Sequence, residues 1–150
     1  MKDGEPLNAP DRDALLRALA LEFIIELRRT QGRTARPSSH PQARLVQEMT
    51  SWLDLSFRQP IRRAEIAQRA GCSESSLAAA FRAVTGRSPI DYLIDLRLTH
   101  ACALLRSSRQ RVGEVAARVG IADVYYFSKL FKRRMGVSPL AYRRQRSLSL

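Results

Sequence analysis

The strongest constraint on how this chain folds is that part of it is written twice. Residues 65–71 read EIAQRAG and residues 114–120 read EVAARVG, and downstream LAAAFRAVTGRSPIDY (77–92) lines up with FSKLFKRRMGVSPLAY (127–142). The shared pattern is Glu, an aliphatic, Ala, Arg and Gly, then Leu or Phe, four residues on Phe and a basic residue, and finally G-x-S-P-x-x-Y. The offset is 49 before the turn and 50 after it, so one residue is inserted where the second helix of the later copy begins. Such self-similarity means one supersecondary unit used twice. Ile66, Ala67 and Ala70 fall on one face of a short helix, and Ala67 is small enough for another helix to cross closely. Gly71 supplies the positive φ of a tight turn. Ser73 suits the N-cap of the next helix, which buries Leu77, Ala80 and Phe81. Thr85 and Gly86 end it, and Ser88 followed by Pro89 is a cap with proline at the first helical position. The later copy repeats this logic: Val115, Ala116 and Gly120, then Asp123 as cap, Phe127, Leu130 and Phe131 as the buried face, Gly136 as stop, and Ser138-Pro139 opening a last helix.

Helix, tight glycine turn, helix is helix-turn-helix geometry, in which the second helix stands away from the core and enters a major groove. One match is weak, because many helical hairpins share it. Two copies in the basic part of a chain carry far more weight. Residues 1–57 hold eight basic and eight acidic side chains, whereas residues 58–150 hold eighteen basic and six acidic, so the net +12 lies in the segment that carries the repeat. A folded segment with that excess repels itself unless a polyanion neutralises it; the alternative is a merely soluble basic surface. Apolar residues at 45% supply a core, while seven glycines, sparse Val and Thr and few alternating runs predict an all-α protein.

The N-terminal part reads differently. Residues 1–10 are a polar lead-in, and a helix is predicted over 11–32, opened by Asp11 and Asp13 near its positive end. Leu16, Leu19, Ala20, Phe23, Ile24 and Leu27 form one apolar stripe, with Ala14, Ala18, Leu21 and Ile25 beside it. Such a width asks for two apolar neighbours: a helix of the same chain, such as 43–57, a second copy of 11–32, or a domain not in the chain. Residues 31–42 (QGRTARPSSHPQ) have linker composition. The organisation expected is therefore an amphipathic helix in 1–32, a linker at 33–42 and a domain over 43–146. No apolar signal core or membrane-length stretch is visible, so the cytoplasm is the compartment expected.

The arrangement resembles the C-terminal DNA-binding domain of AraC/XylS-type transcription regulators, over roughly residues 43–146. The motifs that carry the resemblance are GRSPIDYLIDLRLTHACALL (86–105), VGEVAARVGIADVYYFSKLFKRRMG (112–136) and VSPLAYRR (137–144). The resemblance implies a leading helix at about 43–56, a first helix-turn-helix at about 61–85, a connecting helix at about 89–107 and a second helix-turn-helix at about 111–135. A connector of that length spans about 27 Å at about 1.5 Å per residue, comparable to the ~34 Å between successive major-groove faces. It implies double-stranded DNA (a promoter or operator) and RNA polymerase as partners, no cofactor and no catalysis. Ile121 stands where an aromatic residue is usual and Tyr125 where a small polar one is common. Family members usually carry an N-terminal effector domain, for which 150 residues are expected to leave no room; residues 11–32 look like its terminal, dimerising helix, in a fragment or in a stand-alone protein.

By the same resemblance Ser75, Ala78, Ala79 and Arg82 of the first unit, beside Glu74, face the groove. Three of these are small: alanine methyls suit thymine methyls, Ser75 pairs with several bases, and Arg82 is a base contact, a phosphate contact or a solvated arginine. In the second unit Tyr125, Ser128 and Lys129 are base-facing, with Lys129 foremost. Lys132, Arg133 and Arg134 read as phosphate contacts, since adjacent cations suit backbone neutralisation. Tyr126 is either exposed or a packing residue. His40 and His100 lack a second ligand at metal spacing and read as surface residues, Cys72 and Cys102 read as small buried apolar residues, and no phosphate loop, nucleophile elbow or carboxylate pair argues for an enzyme. Two rivals stand beside DNA binding: a basic RNA-binding module, against which the doubled major-groove motif speaks, and a protein–protein adaptor, which the alanine-rich first recognition helix keeps open.

Overall fold

The computed structural model describes residues 41–147, with side chains to 144, so the helix expected over 11–32 lies outside the described residues. Among the described residues there are seven helices and no strand: α1 (Pro41–Ser56), α2 (Arg63–Ala70), α3 (Glu74–Thr85), α4 (Pro89–Ser107), α5 (Val112–Arg118), α6 (Val124–Met135) and α7 (Pro139–Ser147). The leading helix is already formed at Pro41, the first described residue, where its sequence pattern predicts a start at about 43.

The two copies of the repeat fold the same way down to single hydrogen bonds. Gly71 and Gly120 take the left-handed conformation, with φ 67° and 81°. In the first copy Gly71 N–H donates to the Gln68 carbonyl and Cys72 N–H to that of Ala67; in the second, Gly120 N–H donates to Ala117 and Ile121 N–H to Ala116. The helices after these turns are capped by Ser73, which accepts from Ser76 N–H, and by Asp123, which accepts from Tyr125 and Tyr126 N–H. Ser88 caps α4 through Asp91 N–H, with Pro89 at its start. Asp123 sits three residues after its glycine and Ser73 only two after its own, which is where the extra residue of the second copy goes.

Burial follows the stripes. Ile66, Leu77, Phe81, Val115, Phe127 and Phe131 are closed to solvent and belong to one hydrophobic cluster that runs through both units. The connector α4 is its spine: Leu93, Leu98, Ala101, Cys102 and Leu105 are buried, with α2 and α3 packed on it from one unit and α5 and α7 from the other. Helix α1 packs on α2 and α3 and contributes Val46, Met49, Leu53 and Phe57 to the cluster. Cys102 is buried and Cys72 half-buried. His100 is not a simple surface residue: its ring stacks on Phe57 at 4.1 Å between centroids.

Candidate nucleic-acid interface

Each unit leaves the outer face of its second helix uncovered. On α3 the buried residues are Leu77, Ala80 and Phe81, and helical spacing turns Ser75, Ala79 and Arg82 outward, where all three are exposed; Ala78 is half-buried at the edge. On α6 the buried residues are Phe127, Leu130, Phe131 and Met135. Lys129, Lys132 and Arg133 are exposed, Ser128 is half-buried, and Tyr125 stands 83% exposed at the start of the helix. Tyr126 is 51% exposed, so it is neither a core residue nor fully solvated. The first face is thus mostly small side chains with one arginine, and the second is aromatic and more strongly cationic.

Arg134 departs from its neighbours. Expected among the phosphate contacts, its guanidinium is turned back to the connector, 2.5 Å from an Asp91 carboxylate oxygen and 3.5 Å from one of Asp95. Helical rotation explains the difference: at the C-terminal end of α6, position 134 lies toward the flank that meets α4, while 132 and 133 remain exposed. Asp95 also receives Arg87, from the turn that follows α3. Asp91 accepts a hydrogen bond from the Ser88 hydroxyl at 2.6 Å. That bond above all, with Arg134 beside it, holds the Asp91 carboxyl below its ordinary range; burial pushes the Asp95 carboxyl up, with the two guanidinium charges pulling the other way.

A second set of contacts lies where α1 ends. Arg97 of α4 donates from Nε to the Phe57 carbonyl at 2.8 Å and from a terminal nitrogen to that of Gln59 at 2.7 Å, satisfying acceptors that a helix end leaves open. Burial lowers the pKa of Arg97, with the nearby Tyr126 opposing. The Gly120 turn presses on the same place: a Cβ there would lie 2.8 Å from the carbonyl oxygens of both Phe57 and Arg58. Arg87, Asp91, Asp95 and Arg97 were not singled out from sequence. A signal for two of them exists, since of the six acidic residues in 58–150, Asp91 and Asp95 sit four apart on one helix.

Among the described residues no group of His, Cys, Asp and Glu is arranged to hold a metal ion, and no helix is long and apolar enough to cross a membrane.

A family model described as a helix-turn-helix domain matches residues 66–145. The HTH-type transcriptional activator RhaR of an Enterobacter species is 33% identical over 125 residues, which is 83% of this chain and 44% of the relative. The C-terminal domain of AraT, a response regulator from Geobacillus stearothermophilus, superposes with a TM-score of 0.67 at 32% identity, covering 75% of this chain and 89% of that one. The DNA-binding domain of AdpA, a global transcriptional factor solved in complex with a target DNA, superposes with a TM-score of 0.64 at 32% identity, covering 67% and 90%. The chain spans less than half the length of the curated relatives it matches.

Proposed function

Because the chain belongs to the helix-turn-helix family of AraC/XylS-type DNA-binding transcription regulators, we propose that α3 and α6 enter successive major grooves of one duplex and read its sequence unequally. The observation that carries this reading is the pair of uncovered recognition faces, each behind a glycine turn and a side-chain cap, on one basic frame. The family is a non-enzymatic class, and the chemistry here is recognition alone.

The roles follow from what each face offers. Lys129 is the principal base-reading residue, a cation that suits the O6 and N7 acceptors of guanine, with Tyr125 and Ser128 beside it. Lys132 and Arg133 hold phosphates. Ser75, Ala78 and Ala79 read through methyl contacts and an adaptable hydroxyl, and Arg82 adds charge. Arg134 is left out of the phosphate set because its guanidinium is already engaged by Asp91 and Asp95. RNA polymerase is the further partner proposed, supported by the relative that is named as an activator. A second copy of the chain is proposed to pair through 11–32, whose two apolar stripes leave Leu16, Leu19, Phe23 and Leu27 in need of cover. Phe23→Glu followed by sedimentation at micromolar concentration tests that pairing; a wild-type chain that is already monomeric there overturns it.

The test of the central reading is titration of the full chain against a duplex selected from genomic fragments and against a random duplex, at several salt concentrations. Lys129→Ala is expected to cost about 1–3 kcal/mol on the selected site and to relax base preference there, while Ala79→Ser changes little. Equal weakening on both duplexes would show that Lys129 contacts phosphate and not bases.

A further inference from the structure

Both recognition helices end at the same carboxylate. Gly86 stops α3, and the next residue, Arg87, pairs with Asp95. Arg134 lies in the last turn of α6, two residues before its stop at Gly136, and pairs with Asp95 and with Asp91. Asp95 is the one charged side chain buried among the described residues, at 7% exposure, and it sits near the middle of the helix that joins the two units. A buried carboxylate holds its charge only with partners, and here one partner comes from the last turn of α6 and the other from the turn that follows α3. The other end of α6 is fixed separately, since the turn before it carries Gly120 against the carbonyls of Phe57 and Arg58. A rod held at both ends cannot tilt. Neither Arg87 nor Asp95 lies on a recognition face, so they touch no base in the reading above.

We propose that Asp95 is a positioning residue: by holding Arg87 and Arg134 at once, it sets the mutual orientation of α3 and α6, and so the spacing at which two half-sites on DNA are read. The DNA consequence rests on the two-groove reading; the positioning itself does not. Residues of this kind select which spacing is accepted without adding a contact to either half-site, so their loss broadens spacing preference and leaves the sequence read within each half-site unchanged.

The geometry is tested first without DNA. In a full chain carrying Cys72→Ser and Cys102→Ala, spin labels at Ala83→Cys and Lys132→Cys report the α3–α6 distance by double electron–electron resonance. The expected result is one narrow distribution, broadened at least twofold by Asp95→Asn and by Arg134→Gln, and partly restored by Arg134→Lys, which keeps the charge. Should Asp95→Asn fail to fold, as circular dichroism would reveal, the half-exposed Arg87→Gln and Arg134→Gln variants carry the test. An unchanged narrow distribution in folded variants overturns the proposal. The second arm selects binding sites from random duplexes with unlabelled chains. Wild type is expected to yield two sequence blocks at one spacing, and Asp95→Asn the same blocks at mixed spacings; one spacing for both overturns the role in recognition. A wild-type selection without two blocks overturns the two-groove reading instead, and the spin-label distances still decide whether Asp95 positions the helices.

Discussion

Gly71 and Gly120 are the same residue of the repeat in two different surroundings, which makes a matched pair of substitutions. Replacing either with alanine puts an L side chain at φ 67° or 81°, a strain of about 1–2 kcal/mol, partly offset by about 0.4–1 kcal/mol because alanine restricts the unfolded chain. At Gly71 nothing lies within 4 Å of the new methyl, so the net loss is expected to be about 0–1.5 kcal/mol. At Gly120 the methyl would lie 2.8 Å from two carbonyl oxygens. These oxygens cannot swing away freely, because Arg97 grips the Phe57 carbonyl and that of Gln59 two residues on. Relief then requires the second unit to lift off the end of α1, an overpacking cost of about 1–3 kcal/mol. Gly120→Ala should therefore lose about 1–3 kcal/mol more than Gly71→Ala, or roughly 4–20 °C in melting temperature for a domain of this size. Urea and thermal unfolding followed by circular dichroism measure both. Equal losses for the two variants would refute the reasoning, since only the approach to α1 distinguishes them.

Three other outcomes are expected. Plotting log affinity against log salt, Lys132→Gln and Arg133→Gln should each reduce the slope by about 0.9, the value of one phosphate contact; Arg134→Gln should leave it near wild type, and a full unit of loss there would return Arg134 to the phosphate set. Arg97→Gln removes both guanidinium bonds to the end of α1 and should destabilise the fold by about 1.5–3 kcal/mol, as expected for charge-assisted bonds; thermal melting tests this, and Arg97→Lys should recover only part, because one ammonium replaces a two-pronged donor. Asp91 has its pKa lowered by folding, mainly through the Ser88 hydroxyl. Its contribution is therefore present above the unfolded carboxylate range and lost as pH falls through the folded pKa. Asp91→Asn should flatten the acid limb of the stability–pH curve below about pH 4, and an unaltered limb would count against the assignment.

What could be read in the chain beforehand was local. Ser73, Ser88 and Asp123 cap the helices that their spacing to the next stripe demands, because a cap is decided within three residues. Buried faces such as Leu77, Ala80 and Phe81 follow from a period of 3.6. What escaped was long in range. Arg134 and Asp91 stand 43 residues apart, and a run of three basic residues looks uniform until the rotation of α6 sends one of them to the connector. The contact between Arg97 and Phe57, and the approach of Gly120 to that same helix end, depend on how two units meet, and neither unit's own pattern encodes it. His100 was likewise opaque, since its ring partner lies on another helix.

The alanines on the outer face of α3 have an evolutionary consequence. Ala79 is exposed, and Ala78 sits half-buried at the rim, so neither position anchors the fold as Leu77 and Phe81 do. Surface exchanges at such positions typically alter stability within about 0.5 kcal/mol. On the proposed two-groove reading each is a blank slot: a single base change in the gene can install a serine, threonine or valine there and create a new preference at the first half-site while the scaffold stays intact. In α6, where Lys129 occupies the matching surface and is proposed to read bases, a comparable exchange gives up that proposed contact. New binding specificities are therefore more accessible by mutation through the first unit, with the second keeping the chain on its duplex during the change.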